Sequence, residues 1–322
     1  MTISSNYNSA FKSQRALITG GAGFIGSHLA HALKNLSCEV VVLDTLKGGH
    51  LSNLPPGVDF RKASVLDDAE LRSAMKGCRY VFHQAAIVSV PESVEKPEEC
   101  LRVNIEGTQR VLIAAKELGV QRVNFAASAA AYGNNPNLPS KETDAPDSWS
   151  PYAASKVAGE LLLQTWARCF SLSTVSLRYF NVFGPRQDPK SPYAAVISAF
   201  VNALAEKRQP SVMGDGLQTR DFVYIDNIVH ANLLAASTKK DLKGEVINIG
   251  CGGRVTLLEV LKHMGQVMNV DATPSHREPR AGDVRHSSAD ISKARELLEY
   301  APIVDFGEGI RRTLAWALPG TH

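Results

Sequence analysis

Tyr152 and Lys156 stand four residues apart, just after Ser150-Pro151, a pair of residues suited to opening a helix. At that spacing both side chains project from one helical face. A phenol is a poor base at neutral pH, with an unperturbed pKa of roughly 10. An ammonium one turn away, together with the positive charge of a bound cofactor ring, favours the phenolate and brings it into working range for proton transfer. Such a pair, met alone, is commonly a solvated helical contact. Ser128 changes its weight: it ends a strand-like run 24 residues before Tyr152. Strand ends of a parallel sheet are where ligands sit, so Ser128 can hold the hydroxyl that Tyr152 deprotonates.

A second constellation lies upstream. Gly20-Gly-Ala-Gly23-Phe24-Ile25-Gly26 follows the first strand-like run and opens a helix. The glycines allow a tight turn and a close backbone approach, so that a pyrophosphate can rest on the free N–H groups and positive dipole of the helix start. Asp44 closes the second run, 18 residues after Gly26. Its carboxylate can accept from both ribose hydroxyls and would repel a 2′-phosphate, which favours NAD over NADP.

These residues require a scaffold that brings strand ends together. Ala16–Thr19, Glu39–Leu43, Tyr80–Phe82, Arg122–Phe125 and Ser173–Leu177 are short β-rich runs. Between them, Phe24–Leu36, Ala69–Lys76, Pro97–Leu118 and Pro151–Phe170 carry apolar residues at helical spacing. The alternation predicts an α/β fold, a Rossmann-type doubly wound parallel sheet. From Asn181 the rhythm breaks into Pro- and Gly-rich turns, which predicts a smaller C-terminal α/β substrate-binding lobe. The expected organisation is a loose leader over 1–13, an NAD-binding domain over 14–180 and a lobe over 181–322. Phe222–Tyr224 and Val246–Ile249 are candidates to return to the first sheet.

Composition narrows the classes. The chain has 322 residues, 44% hydrophobic and 21% charged, with a formal charge of +3 and scattered basic residues. That is ordinary globular composition, with no basic patch for nucleic acid and no apolar run near the roughly 20 residues of a membrane span. Five cysteines without a Cys-x-x-Cys pair fit reduced thiols, and hence a cytoplasmic location. No His, Cys and carboxylate cluster has metal-ligand spacing, so no metal is expected.

The glycine loop, Asp44, Ser128, Tyr152 and Lys156, in this order and spacing, resemble the extended short-chain dehydrogenase/reductase family. The resemblance runs from about Gln14 to the C-terminus, and points to its NAD-dependent nucleotide-sugar epimerases and dehydratases. It implies cofactor contacts from Gly20, Gly23, Phe24, Ile25 and Gly26, and from Asp44, Thr45 and Gly48 after the second strand. Ser64, Val65, Gln84, Ala85, Ala86 and Asn104 are implied as well, together with Tyr152, Lys156, Tyr179 and Val182. Ser64 stands where relatives usually have an aspartate on the adenine amine, which implies looser NAD binding. His83 is implied to be structural. On the substrate side the resemblance implies Ser89, Ser128, Asn181, Gln187, Val196 and Ser287, with Arg220 and Arg280 on the diphosphate and Asp283 on the nucleoside ribose. It also implies a homodimer through Pro97–Leu118 and Pro151–Phe170.

Within the family, dehydratases place an Asp-Glu pair directly after the serine or threonine, and decarboxylases a glutamate; here those positions are Ala129 and Ala130. With no acid to drive elimination, a 4-keto intermediate takes its hydride back on the other face, which is epimerisation. The stretch from Arg178 to Pro189, followed by Tyr193-Ala-Ala-Val-Ile197, is similar to enzymes acting on UDP-N-acetylhexosamines in bacterial polysaccharide pathways. Ser287 falls at a gatekeeper position that is a bulky tyrosine in enzymes restricted to UDP-glucose/galactose, so room for an N-acetyl group is implied. Val88 and Ala130 depart from the subgroup's glycine and serine. The expectation is a UDP-N-acetylglucosamine/N-acetylgalactosamine 4-epimerase, with UDP-glucose/galactose also accepted. The alternatives are a 4-epimerase of a UDP-uronic acid and a non-catalytic nucleotide-sugar sensor that keeps NAD as a structural ligand.

Overall fold

The computed structural model describes residues 7–188, 196–278 and 284–318. It begins with α1 (Asn8–Phe11), β1 (Arg15–Thr19), α2 (Phe24–Asn35), β2 (Glu39–Asp44), β3 (Asp59–Lys62), α3 (Asp68–Met75) and β4 (Tyr80–His83). Next come α4 (Val90–Glu95), α5 (Pro97–Leu101), a π-turn over Arg102–Glu106, α6 (Gly107–Glu117), β5 (Arg122–Ser128), α7 (Pro151–Phe170), β6 (Thr174–Tyr179) and β7 (Asn181–Phe183). The remainder is α8 (Val196–Ala205), β8 (Ser211–Met213), β9 (Thr219–Arg220), β10 (Phe222–Tyr224), α9 (Ile225–Ser237) and β11 (Glu245–Ile249), then β12 (Val255–Thr256), α10 (Leu257–Met268), β13 (Ser275–Arg277), α11 (Ser292–Leu298) and α12 (Phe306–Ala317).

Seven strands form one parallel sheet in the order β11-β6-β5-β4-β1-β2-β3. The order reverses at β1, so the crevice beyond its carboxyl end, between β2 and β4, is the topological switch point where ligands bind. The expected fold class is the one observed. The runs read as strands are apolar on both faces because both are covered. Leu17, Val41 and Leu43 enter one core, whereas Ala16, Ile18, Val40 and Val42 alternate into another with α2 and α9. A third core joins β6 and β11 to α8, α9, α10 and α12.

Val246–Ile249 lies in the large sheet, while Phe222–Tyr224 pairs instead with Asn181–Phe183 in a separate two-stranded sheet. The stretch expected to be a loose leader is packed from Tyr7 onward. Tyr7 and Phe11, one turn apart, are buried, with Phe11 against Tyr80. No helix among the described residues is long and apolar enough to cross a membrane.

Candidate active site

The glycine loop requires glycine at Gly20 and Gly26. Gly20 has φ +69°, and a Cβ on it would stand 2.6 Å from Ala85 N; a Cβ on Gly26 would stand 2.2 Å from Gly20 O. Gly23 caps α2 with extended backbone, no side chain caps the helix, and its first turn carries no acid. The N–H groups of Phe24 and Ile25 therefore open a positive helix end that suits a pyrophosphate. Beside it, Asp44 is buried and takes Ala22 N on Oδ2 at 2.9 Å and Leu46 N on Oδ1 at 2.7 Å. Each oxygen keeps a further lone pair for a ribose hydroxyl. The residues present fit NAD.

Ser128 ends β5, and its cross-strand partner is Tyr179 at the end of β6. Ser150 caps α7 by accepting from Ala153 N, with Pro151 at the first helical position, and this fixes Tyr152 at the helix mouth. Gly159 lets α7 lie against β5, since a Cβ there would meet the Phe125 ring at 2.4 Å. The Ser128 hydroxyl accepts from Ala130 N at 3.1 Å and lies beside the Tyr152 phenol. Lys156 is buried; its Nζ donates to Ala126 O at 2.8 Å and lies 5.8 Å from the Tyr152 ring centre. Burial lowers the Lys156 ammonium to about 8. Burial also holds the Tyr152 phenol above its ordinary value, and the neighbouring Ser128 hydroxyl is what pulls it down. Desolvation is the largest influence on the phenol in the chain by itself, and the expected activation rests on Lys156 together with a positively charged nicotinamide.

A buried polar chain ties the two halves of the site together. Thr19 Oγ1 meets His83 Nδ1 at 2.7 Å, His83 Nε2 meets Thr108 Oγ1 at 3.0 Å, and Thr108 donates to Asn104 O at 2.6 Å. Because the Thr108 proton is committed to Asn104, this pattern assigns the proton to Nε2 of a neutral ring, and burial lowers His83 to about 3. Asn104 sits in the π-turn, an irregularity that often marks functional sites. Its amide binds both backbone groups of Ile87 and donates to Ser155 Oγ, which donates to Tyr152 O. Asn104, expected at the cofactor, thus spends its polar atoms holding the loop after β4 against α7.

The other expected residues divide by what their side chains already do. Gln84 Nε2 donates to the Tyr179 hydroxyl, which Asn232 Nδ2 also reaches, and burial pushes Tyr179 up to about 12. Ala85 and Ala86 follow Gln84 in the loop beside Gly20. Ser64 and Thr45 cap their own turns through Leu66 N and Lys47 N. Val65 is buried against Gly107, leaving only its backbone for a ligand. Gly48 has open space where a Cβ would stand. Ser89 caps α4 through Glu92 N. Asn181 and Val182 lie on β7, and Val196 begins α8. Gln187 is held between Val182 O and Ser198 Oγ, so its amide fixes the turn before α8. Arg220 ends β9 and Nη1 donates to Thr219 O, while Ser287 N donates to the same carbonyl. Arg280 and Asp283 lie outside the described residues, as does Tyr193.

The profile of the NAD dependent epimerase/dehydratase family matches residues 16–250. The chain belongs to this family. A UDP-glucose 4-epimerase of Mycolicibacterium smegmatis is 36% identical over 93% of this chain and 97% of its own length. The solved UDP-N-acetylglucosamine 4-epimerase of Methanobrevibacter ruminantium, in complex with UDP-N-acetylmuramic acid, is 39% identical. It covers 95% of this chain and 98% of its own, with TM-score 0.91. A UDP-glucuronic acid 4-epimerase of Bacillus cereus, solved with UDP-glucuronic acid and NAD, is 32% identical with TM-score 0.86, covering 94% and 99%. The protein is an NAD-dependent epimerase, an isomerase.

Two features of the epimerase escape sequence reading. A Cβ on Gly49 would stand 2.7 Å from the Ala22 carbonyl carbon, so the glycine requirement after β2 falls on Gly49, one residue past Gly48. Lys47 Nζ lies 2.9 Å from both Glu92 Oε1 and Glu99 Oε1. That bridge ties the loop after β2 to the helices after β4, the two strands that flank β1. A Gly-Gly pair after Asp44 was the available signal for the first; nothing local signals the second, because its partners are more than forty residues apart.

Proposed function

We propose that the protein interconverts UDP-N-acetylglucosamine and UDP-N-acetylgalactosamine at C4 through a transient 4-keto sugar, and also accepts UDP-glucose/galactose. The observation that carries this reading is Ser128 at the carboxyl end of β5, beside the Tyr152 phenol and followed in its turn by Ala129 and Ala130, with no acid to drive elimination. In this reading Tyr152 takes the O4 proton and, once the 4-keto sugar has turned about its link to the diphosphate so that C4 presents its opposite face to the hydride, returns the proton to O4, while Ser128 holds O4. Bound NAD, held by Gly20, Gly23, Gly26 and Asp44, supplies the hydride acceptor and then the donor at C4. Lys156, an ammonium below about pH 8, adds positive charge beside the phenol.

Arg220, Asn181 and, beyond the described residues, Arg280 and Asp283 receive the nucleoside diphosphate. Two guanidiniums from different loops suit a pyrophosphate. Ser287, whose small side chain is half-buried, leaves room for the N-acetyl group. A homodimer is supported by exposed Leu101 and Leu161 on the two helical segments proposed to form its interface. Five free cysteines agree with a cytoplasmic location.

The test is turnover by the NAD-loaded protein of UDP-N-acetylglucosamine, UDP-glucose and UDP-N-acetylglucosaminuronic acid in separate incubations, resolved by NMR. UDP-N-acetylglucosamine is expected to react fastest. Faster turnover of the uronic acid would assign the chain with the B. cereus type instead. A protein that binds all three and turns over none would be a sensor.

A further inference from the structure

Asp221 is only 1% exposed, and among the described residues no cation pairs with it. Its charge is met by backbone alone. Oδ1 accepts from Cys251 N at 2.9 Å, and Oδ2 accepts from Gly252 N at 2.9 Å and Ala289 N at 3.2 Å. Its carbonyl accepts from Asn181 N at 3.1 Å and Asn181 Nδ2 at 3.4 Å. One residue therefore fastens β7, the turn after β11, and the segment that carries Ser287, while its chain neighbour is Arg220. Packing around it is close: a Cβ on Gly250 would stand 2.6 Å from Oδ2. The Tyr300 hydroxyl secures the same turn by donating to Gly250 O at 3.0 Å.

We propose that Asp221 is the positioning residue of the sugar-nucleotide side, holding Asn181, Arg220 and Ser287 at the separation at which they receive diphosphate and sugar together. The proposal rests on the epimerase reading of this cleft. Without a carboxylate, three buried N–H groups lose their acceptor and the segments joined by them gain slack. Asparagine has the same shape but turns an NH2 toward at least one of those donors. The hydrogen bonds of Asp221 go to Asn181, Cys251, Gly252 and Ala289, none of them on α7 or in the glycine loop, so chemistry and NAD retention should survive while substrate affinity does not.

Protonation would act like asparagine. Burial pushes Asp221 up to about 6, opposed by the three N–H groups. The titratable groups facing it are the Cys251 thiol and the Tyr300 phenol, both pushed up by burial and by Asp221 itself, with Asp305 beyond Cys251. Cys251 and Tyr300, both pushed up, keep their charge state between pH 5.5 and 7.5; the His286 ring meets Thr219 Oγ1 at 2.9 Å on the segment that carries Ser287. Asp221 therefore loses its charge, and the loops their anchor, as pH falls through about 6.

The experiment titrates UDP-N-acetylglucosamine, whose diphosphate does not itself titrate in this range, into the NAD-loaded protein near pH 7.5 and 5.5. Asp221→Asn should weaken binding and raise KM about tenfold or more, with kcat within about threefold and NAD content unchanged. The unaltered protein should lose affinity several-fold at the lower pH, and His286→Gln should keep that loss. Should Asp221→Asn fail to fold, the pH dependence of the unaltered protein and of His286→Gln decides. Wild-type affinity and KM in Asp221→Asn, a loss confined to kcat, or a pH effect abolished by His286→Gln would each overturn the proposal alone. An unaltered protein that binds no UDP-sugar at either pH would overturn the epimerase reading and the proposal with it.

Discussion

At Tyr152 spacing and burial act in opposite directions. The four-residue interval to Lys156 was legible in the sequence, and so was Ser128; the desolvation that raises the phenol is set by the walls of the site and leaves no local mark. Tyr152→Phe removes the proton carrier and should lower turnover by at least about 100-fold with NAD content intact. A variant that kept a tenth of the wild-type rate would place the acid/base elsewhere. Lys156 carries a linkage prediction. Its folded pKa of about 8 lies below 10.5, so between those values the unfolded chain binds more protons and stability rises with pH. At pH 7 the ammonium is buried at a cost. Lys156→Met should therefore melt a few degrees higher than wild type at pH 7, and the gap should narrow toward pH 10, while activity falls. A melting point that drops, or a gap indifferent to pH, would contradict the desolvation account. Asn104 and Gln187 were expected at the ligands, and what their amides hold was not legible, because a side-chain amide's partners depend on elements far away in the chain.

At the scale of elements, the strand runs buried on both faces could be read from sequence because continuous burial leaves continuous apolar stretches. β3 could not: Asp59–Lys62 is a half-buried edge strand with charges on it, and α4 is a single short helix set by its Ser89 cap. The loop after β2 has its steric requirement for glycine at Gly49, beside the Gly48 expected at the cofactor. Gly49→Ala should reduce NAD content measurably, since the added Cβ meets the Ala22 backbone, whereas Gly48→Ala should leave it unchanged. Equal loss in both would show that the loop does not seat on the glycine turn. The Lys47 bridge to Glu92 and Glu99 spans the two flanks of β1. Exposed ion pairs contribute about 0–1 kcal/mol each, so Lys47→Met should speed NAD release only about three- to tenfold. Salt should do the same to the wild type and little to the variant. Release rates from stopped-flow fluorescence that ignore both changes would remove the bridge from cofactor retention.

For the whole molecule, a parallel sheet reversing at β1 places the glycine turn, Ser128 and the mouth of α7 at one edge, which alternating strand and helix runs announce before any coordinates. The second lobe was less legible, since its strands are two or three residues long and pair across large separations. Leu161, 58% exposed on α7, belongs to the face proposed to meet a second copy. Leu161→Arg should shift the protein from dimer to monomer in light scattering, and a wild-type monomer would refute that assembly. The central claim is that one hydride leaves C4 and returns to it, with Tyr152 moving only the O4 proton. The most direct measurement is NMR of UDP-N-acetylglucosamine incubated with the NAD-loaded protein in D2O. The account predicts UDP-N-acetylgalactosamine that keeps protium at C4. Deuterium at C4, or no epimer at all, would contradict it.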